Sequence, residues 1–187
     1  FNIPCSQTVS VFSDGVLTSY PTGIATSSDA KTAYVVLDNN DTLAKIDLTA
    51  STPKEGAEVR VGNVPNSVVI SPDGKTAYVS NEGGRIATAN DFQEYSNGTN
   101  VVAQYPTGSI ARGTISVVDL ASFKVRGSIE TGHHPTGMAF WRNYLLVANT
   151  YDDSISVIDT ASSRVVRTID LVPVRLAGER GSSYGLS

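Results

Sequence analysis

The sequence predicts an all-β fold of repeated four-stranded antiparallel units, and three observations carry that expectation. One pattern recurs: Pro21-Thr22-Gly23-Ile24-Ala25, Pro65-Asn66-Ser67-Val68-Val69 and Pro135-Thr136-Gly137-Met138-Ala139. Each copy leads through a turn into an apolar strand: Tyr34-Val35-Val36-Leu37, Tyr78-Val79-Ser80-Asn81 and Leu146-Val147-Ala148-Asn149. A further strand then ends in aspartate every time, Leu43 to Asp47, Ile115 to Asp119 and Ile155 to Asp159. Pro21 and Pro65 stand 44 residues apart, a spacing typical of four-stranded propeller blades. The expectation is a β-propeller, incomplete in this chain, with about three full blades and partial blades at both ends.

Taken in order, residues 1–6 read as an N-terminal extension and 7–187 as the partial propeller. Within a blade, strand a lies nearest the axis and b, c and d follow outward. Gln7 to Tyr20 reads as strands c and d of a blade whose a and b are missing, joined at Asp14-Gly15, a strong hairpin signal. Blade 1 runs from Pro21 to about Gly62, blade 2 from Pro65 to Gly132 and blade 3 from Pro135 to about Val172. Tyr184-Gly185-Leu186-Ser187 looks like the start of another strand a.

The turns have a chemical rationale. Ser71-Pro72-Asp73-Gly74-Lys75 supplies a fixed φ at proline and a residue tolerant of positive φ at glycine, as a tight a–b hairpin requires. Blade 1 keeps the shape in Ser28-Asp29-Ala30-Lys31, but Ala30 replaces the glycine. Blade 3 shortens the turn and puts Arg142-Asn143 at its tip. The b–c connections of blades 1 and 3 are equally short, whereas blade 2 carries a long insertion at 82–113. A loop of that length in a compact domain is usually functional or disordered.

Composition narrows the function classes. Charged residues make up 17% of the chain, the net charge is −4, and no Lys/Arg run is visible, which argues against nucleic acid or an anionic membrane surface as partner. No apolar run approaches the roughly 20 residues of a membrane span. The chain shows neither a signal peptide nor an initiator methionine, as expected of a processed chain or a fragment. Cys5 is the single cysteine. It reads as an inert thiol or as half of a bridge to a segment outside this sequence.

The run Ser71-Pro72-Asp73-Gly74-Lys75-Thr76-Ala77-Tyr78-Val79-Ser80-Asn81 resembles the signature of YVTN-type β-propeller repeats of surface-layer and periplasmic proteins. Val147-Ala148-Asn149 with Ser154-Ile155-Ser156-Val157-Ile158-Asp159-Thr160 resembles the rest of that repeat. The insertion, with Tyr95-Ser96-Asn97-Gly98-Thr99 and Gly108-Ser109-Ile110-Ala111-Arg112-Gly113, is similar to one in bacterial propellers fused to an alkaline-phosphatase-like phosphoesterase domain. The resemblance implies an exported protein (periplasmic, cell-surface or secreted), and its narrower form implies a metal-dependent hydrolase following the propeller. No residue of that catalytic domain matches here, so none is carried over.

Chain direction places the d–a and b–c loops on one rim and the a–b and c–d turns on the other. The insertion, Gly132-His133-His134-Pro135 and Leu171 to Ser183 share the first rim. Asymmetric loop growth on one rim of a rigid scaffold is where binding sites tend to lie. The expected ligand- or partner-binding residues are Asn81, Arg112, His133, His134, Asn149 and Tyr151. Adjacent histidines in extended backbone point to opposite sides, which disfavours a shared metal. Asp38-Asn39-Asn40-Asp41 and Tyr151-Asp152-Asp153-Ser154 read as turn chemistry before calcium sites. Asp47, Asp119 and Asp159 read as caps of the c–d turns. Asn40 and Asn97 begin glycosylation-type tripeptides. No nucleophile elbow, zinc-helix motif or phosphate loop occurs, so no catalytic residue, metal or cofactor is assigned.

The expectation is therefore a non-catalytic binding or scaffold module. Its partners would be the remaining propeller blades, from another chain or a missing segment, and a protein partner or hydrolase domain. Two alternatives stand beside it: the propeller portion of a secreted metal-dependent phosphoesterase, and a structural surface-layer protein. Val68, Ile70, Val79, Val117, Met138, Phe140 and Val147 are the expected core.

Overall fold

The structure, a computed structural model, describes residues 19–171. The expectations for the N-terminal extension, the half-blade at Gln7–Tyr20 apart from its last two residues, Cys5, and everything after Leu171 lie outside the described residues. Three four-stranded antiparallel sheets follow one another. The first is β1 (Pro21–Thr26), β2 (Thr32–Leu37), β3 (Thr42–Asp47) and β4 (Lys54–Arg60). The second is β5 (Asn63–Ile70), β6 (Thr76–Gly84), β9 (Thr114–Asp119) and β10 (Lys124–Glu130), interrupted by a hairpin, β7 (Gln93–Ser96) and β8 (Thr99–Val102). The third is β11 (Pro135–Trp141), β12 (Tyr144–Asn149), β13 (Ser154–Asp159) and β14 (Arg164–Asp170). Each sheet is a blade with strand order a-b-c-d, and the inner strands β1, β5 and β11 lie side by side. The fold is a β-propeller, of which these residues form three blades.

The faces of the blades explain why the repeat is apolar at alternate positions. Between blades 1 and 2, Tyr34, Val36 and Leu43 pack against Val68, Val79 and Val118. Between blades 2 and 3, Tyr78, Ile115 and Val117 pack against Leu145, Val147 and Ile158. Met138 and Phe140 border this second cluster, Phe140 meeting Tyr78 edge-on at 5.7 Å. All seven expected core residues lie in or against these two clusters, with Val68, Val79, Val117 and Val147 buried and Ile70, Met138 and Phe140 half-buried. Burial on both faces is what makes the b strands almost continuously apolar.

Both rims follow from the local chemistry. On the turn rim, Ser71 and Asp73 build a network in which the Thr76 and Lys75 amides donate to the Ser71 hydroxyl and the Asp73 carboxylate. Ser27 and Asp29 repeat it for Thr32 and Lys31. Gly74 has φ +70°, and Ala30 adopts the same left-handed region at φ +57°. Asp47, Asp119 and Asp159 each accept from the residues two or three positions ahead and cap the c–d turns. Among the described residues no helix is long and apolar enough to cross a membrane.

Candidate functional site

The opposite rim carries the d–a and b–c connections, and the antiparallel pairing places all of them on one side. His133 and His134 enter blade 3 there, and their side chains diverge. His133 Nδ1 lies 2.7 Å from Asp152 Oδ1, and its amide donates to Asp152 Oδ2 at 2.8 Å. His134 Nδ1 lies 3.1 Å from Glu82 Oε2, at the root of the insertion. Its ring stacks on Tyr151 with centroids 3.7 Å apart. Each imidazole therefore has its own carboxylate, and the two hold blade 3's entry to its own b–c turn and to blade 2. Among the described residues no cluster of three His, Cys, Asp or Glu could hold a metal ion.

Arg112 lies where the insertion returns to β9. It is half-exposed, with Nε 3.8 Å from Glu130. Beside it, the Gly113 amide donates to the Gly132 carbonyl and the Thr131 amide to the Gly113 carbonyl. The two ends of the insertion thus meet the histidine loop. Arg112, His133, His134 and Tyr151 sit on this rim.

Asn81 and Asn149 lie beneath it. Both are fully buried, Asn81 within β6 and Asn149 at the end of β12, so neither is an exposed side chain of the rim, and Asn149 lies at the floor of an opening lined also by Arg112 and Asp152. Asn81 Nδ2 donates to the Thr114 carbonyl and the Ser116 hydroxyl, and Asn149 Nδ2 donates to the hydroxyls of Ser154 and Ser156. Each carboxamide therefore ties strand b to strand c of its own blade. Blade 1 has Leu37 and Ala44 at the corresponding places, an apolar version of the same contact.

The body of the insertion goes the other way, toward blade 1. It leaves β6 at Gly84, whose φ of +76° and contact with the Arg112 carbonyl leave no room for a Cβ. The β7–β8 hairpin turns at Asn97-Gly98, both with positive φ, as a two-residue hairpin of that sequence does. Val101 is buried against Gly83 and Val64. Asn63 Nδ2 donates to the carbonyls of Arg85 and Asn100. At the tip, Asn97 Nδ2 donates to Asp38 Oδ2 at 3.1 Å, on the b–c turn of blade 1. The hairpin is strapped across the junction of blades 1 and 2.

That turn is more than turn chemistry. Asp38–Asn40 form one 3-10 turn closed by Asp41 with φ +56°, but both aspartates are buried, Asp38 at 4% exposure. Asp41 accepts the Val64 amide at 2.7 Å and pairs with Arg60. Burial pushes the Asp38 carboxyl up to about 6, the charges of Glu82 and Asp41 add to it, and the bond from Asn97 works against them. The sequence offered no signal for this burial, because Asp-Asn-Asn-Asp is equally at home in an exposed turn. Nor did it reveal Glu82, Asn63 or Asp152 as the partners that organise the rim. The Asn40 carboxamide is buried and that of Asn97 is engaged with Asp38, so neither glycosylation-type asparagine is a free side chain.

The insertion also presents exposed aromatic rings. Tyr95 is 74% exposed and Tyr105 80%, and Phe92 stands edge-on to Tyr105 at 5.4 Å.

No family profile matches the chain, and no curated protein matches it. Solved structures do. Kuenenia stuttgartiensis hydrazine synthase is similar over 80% of this chain and 36% of its own, with 24% identity and a TM-score of 0.57. A putative 6-phosphogluconolactonase from Bacteroides fragilis is similar over 82% and 40%, at 22% identity and TM-score 0.56. The WD40 repeats of RRP9 are similar over 84% and 40%, at 15% identity and TM-score 0.57. Identities this low speak for the propeller fold alone. The chain spans 36–40% of the length of these structures.

Proposed function

We propose that this chain is a non-catalytic binding or scaffold module of an exported protein, and that it contacts its ligand or partner through the rim carrying the insertion and the histidine loop. The observation that carries this reading is the one-sidedness of the elaboration. The turn rim is built from short, self-satisfied hydrogen-bonded turns, whereas the opposite rim carries a 3-10 turn, two histidine–carboxylate pairs and an insertion with exposed tyrosines. A rigid scaffold with loop growth on one side is the usual form of a binding module, and exposed tyrosine is enriched at contact surfaces.

The finer reading is a YVTN-type propeller, with the phosphoesterase-associated form as its narrower alternative. Its support is the Ser71–Asn81 run and the insertion residues named above. In that reading the partners are further blades and a hydrolase domain, and the apolar side of blade 3 turned away from blade 2 supports the blades. There Ala139, Leu146 and Ile155 alternate with the residues of the blade 2–3 core, and Trp141 is half-exposed.

The test is docking of the partner or hydrolase domain of the full-length protein, supplied in trans without further blades, to this chain. Removal of residues 84–112 is expected to abolish docking. The same deletion uncovers Val64, so a surface variant, Tyr105→Ser, is measured beside it and is expected to weaken docking with thermal stability kept. Docking that survives both changes would show that the contact lies elsewhere.

A further inference from the structure

A groove of about 320 Å³ runs along the β7–β8 hairpin, between it and the end of β4. Arg60 and Asn63 form one side; Ile86, Gln93, Tyr95 and Asn100 are among the residues of the other. Its size is at the lower end of the range for small-molecule sites. We propose that this groove binds a neutral, hydroxyl-rich ligand, a saccharide, and that Tyr95 is the platform on which a sugar ring lies. The proposal rests on the reading of this rim as the contact surface and names the chemistry of what it contacts.

Charge decides the first half of the argument. The Arg60 guanidinium is committed: to the buried Asp41 carboxylate, to the Asn40 carbonyl at 3.1 Å and to Asn63 Oδ1 at 2.9 Å. Arg85, next to Ile86 in the insertion, is held in an ion pair by Asp91. Each of these cations is already neutralised by an aspartate, so the groove offers an anionic ligand no net positive charge, and a cationic ligand would find no carboxylate in the lining. Nucleotides, which an exposed aromatic ring could otherwise stack, are disfavoured because phosphate needs an available cation or a free array of N–H groups.

Shape and hydrogen bonding decide the second half. Tyr95 and Asn100 stand directly opposite each other in the hairpin register, both exposed. Their pairing puts an aromatic face beside a carboxamide with two donors and an acceptor. Gln93, a further residue of the lining, gives an amide hydrogen to the Thr88 carbonyl, which holds its carboxamide in place at the groove. Ile86, half-exposed, extends the apolar wall. A pyranose ring has this same division, an apolar face of C–H groups and a rim of hydroxyls that each donate and accept. The Tyr95 ring supplies area with only two rotatable bonds to fix.

The experiment presents the full chain to immobilised neutral oligosaccharides (gluco-, galacto- and N-acetylglucosamine series) and to sulfated oligosaccharides. Variants Tyr95→Ala, Tyr95→Phe and Trp141→Ala are measured in parallel, all checked for native circular dichroism and unfolding midpoint. The expected result is retention of a neutral series, weakened about tenfold by Tyr95→Ala, largely kept by Tyr95→Phe, and untouched by Trp141→Ala on the turn rim. Retention of no neutral series, a preference for sulfated chains, or equal retention by the folded Tyr95→Ala protein would overturn the proposal. If saccharide binding fails while docking still depends on residues 84–112, this inference alone falls and the function proposed for the rim stands. If both fail, the rim assignment falls as well.

Discussion

Ala30 and Gly74 occupy the same place in two copies of one turn, and the comparison isolates a single backbone cost. Both have positive φ, +57° and +70°, and both are followed by the same lysine and threonine whose amides are caught by an aspartate and a serine. An L-residue with a Cβ pays about 1 kcal/mol in this region. Ala30→Gly is therefore expected to raise stability by about 0.5–1 kcal/mol, and Gly74→Ala to lower it by a similar amount, read as shifts in denaturant midpoint at constant slope. The buried carboxamides make the complementary point. Asn81 satisfies three oxygens of the neighbouring strand, so Asn81→Ala leaves buried hydroxyls short of a donor and is expected to cost about 1–3 kcal/mol. A midpoint unchanged by Asn81→Ala would mean that water replaces the carboxamide.

Strands and hairpin differ in how they are held, and this sets what a substitution does at the scale of an element. Val79 is in the middle of β6, packed toward blade 1 in the cluster of Tyr34, Val36 and Leu43, and it is completely buried. Val79→Ala is expected to cost about 2 kcal/mol of global stability through lost contacts and the cavity left behind. The β7–β8 hairpin instead hangs on Val101, on the bond from the Asn63 amide to the Asn100 carbonyl and on the Asn97–Asp38 bond. Few contacts of this kind give low local stability. Val101→Ser is therefore expected to speed amide exchange in residues 93–102 while the amides of β6 and β9 stay protected. Uniform acceleration across all three would make the hairpin part of the cooperative blade and not a strap laid over it.

For the whole molecule, charge placement sets the pH of greatest stability. The turn aspartates Asp29, Asp47, Asp73, Asp119 and Asp159 are held below the usual carboxylate value, chiefly by hydrogen bonds from serine and threonine side chains and from backbone amides. What they contribute is present above about pH 4 and is lost as pH falls below it. Asp38 and Glu55 act in the opposite sense. Burial raises both, Asp38 to about 6 with help from Glu82, and Glu55 to about 7 with help from Glu58 beside it. A raised carboxyl binds its proton more tightly when folded, so its contribution is complete at low pH and is lost as pH rises through its folded value. The unfolding temperature is accordingly expected to peak on the acid side of neutrality, at about pH 4–5, and to decline toward pH 7. Asp38→Asn should flatten the decline below pH 6 and Glu55→Gln the part that extends to 7. A profile flat from pH 4 to 7 in the unmodified chain would contradict the placement of both groups.

Repetition made the blades legible in the sequence. A proline-led strand, an apolar strand and an aspartate-ended strand at constant spacing specify hairpins by period-2 alternation and by local turn chemistry. Both are decided within a few residues of chain, so the blade boundaries and the aspartate caps could be read without a structure. The rim could be read only in part. That the insertion and His133-His134 share one side follows from strand direction alone, and their contact through Glu82 and Gly113 is in keeping with it. What tertiary structure alone decided is which polar groups are covered and by what. Asn81 and Asn149 vanish beneath the rim because strand c of their own blade offers hydroxyls to them, Asp38 is sealed under a hairpin that originates in another blade, and the body of the insertion crosses to blade 1. Burial of this kind depends on contacts between segments as far apart as Asp38 and Asn97. A local pattern of residue types carries no record of such contacts, whereas packing fixes them once blades 1 and 2 close on Val64.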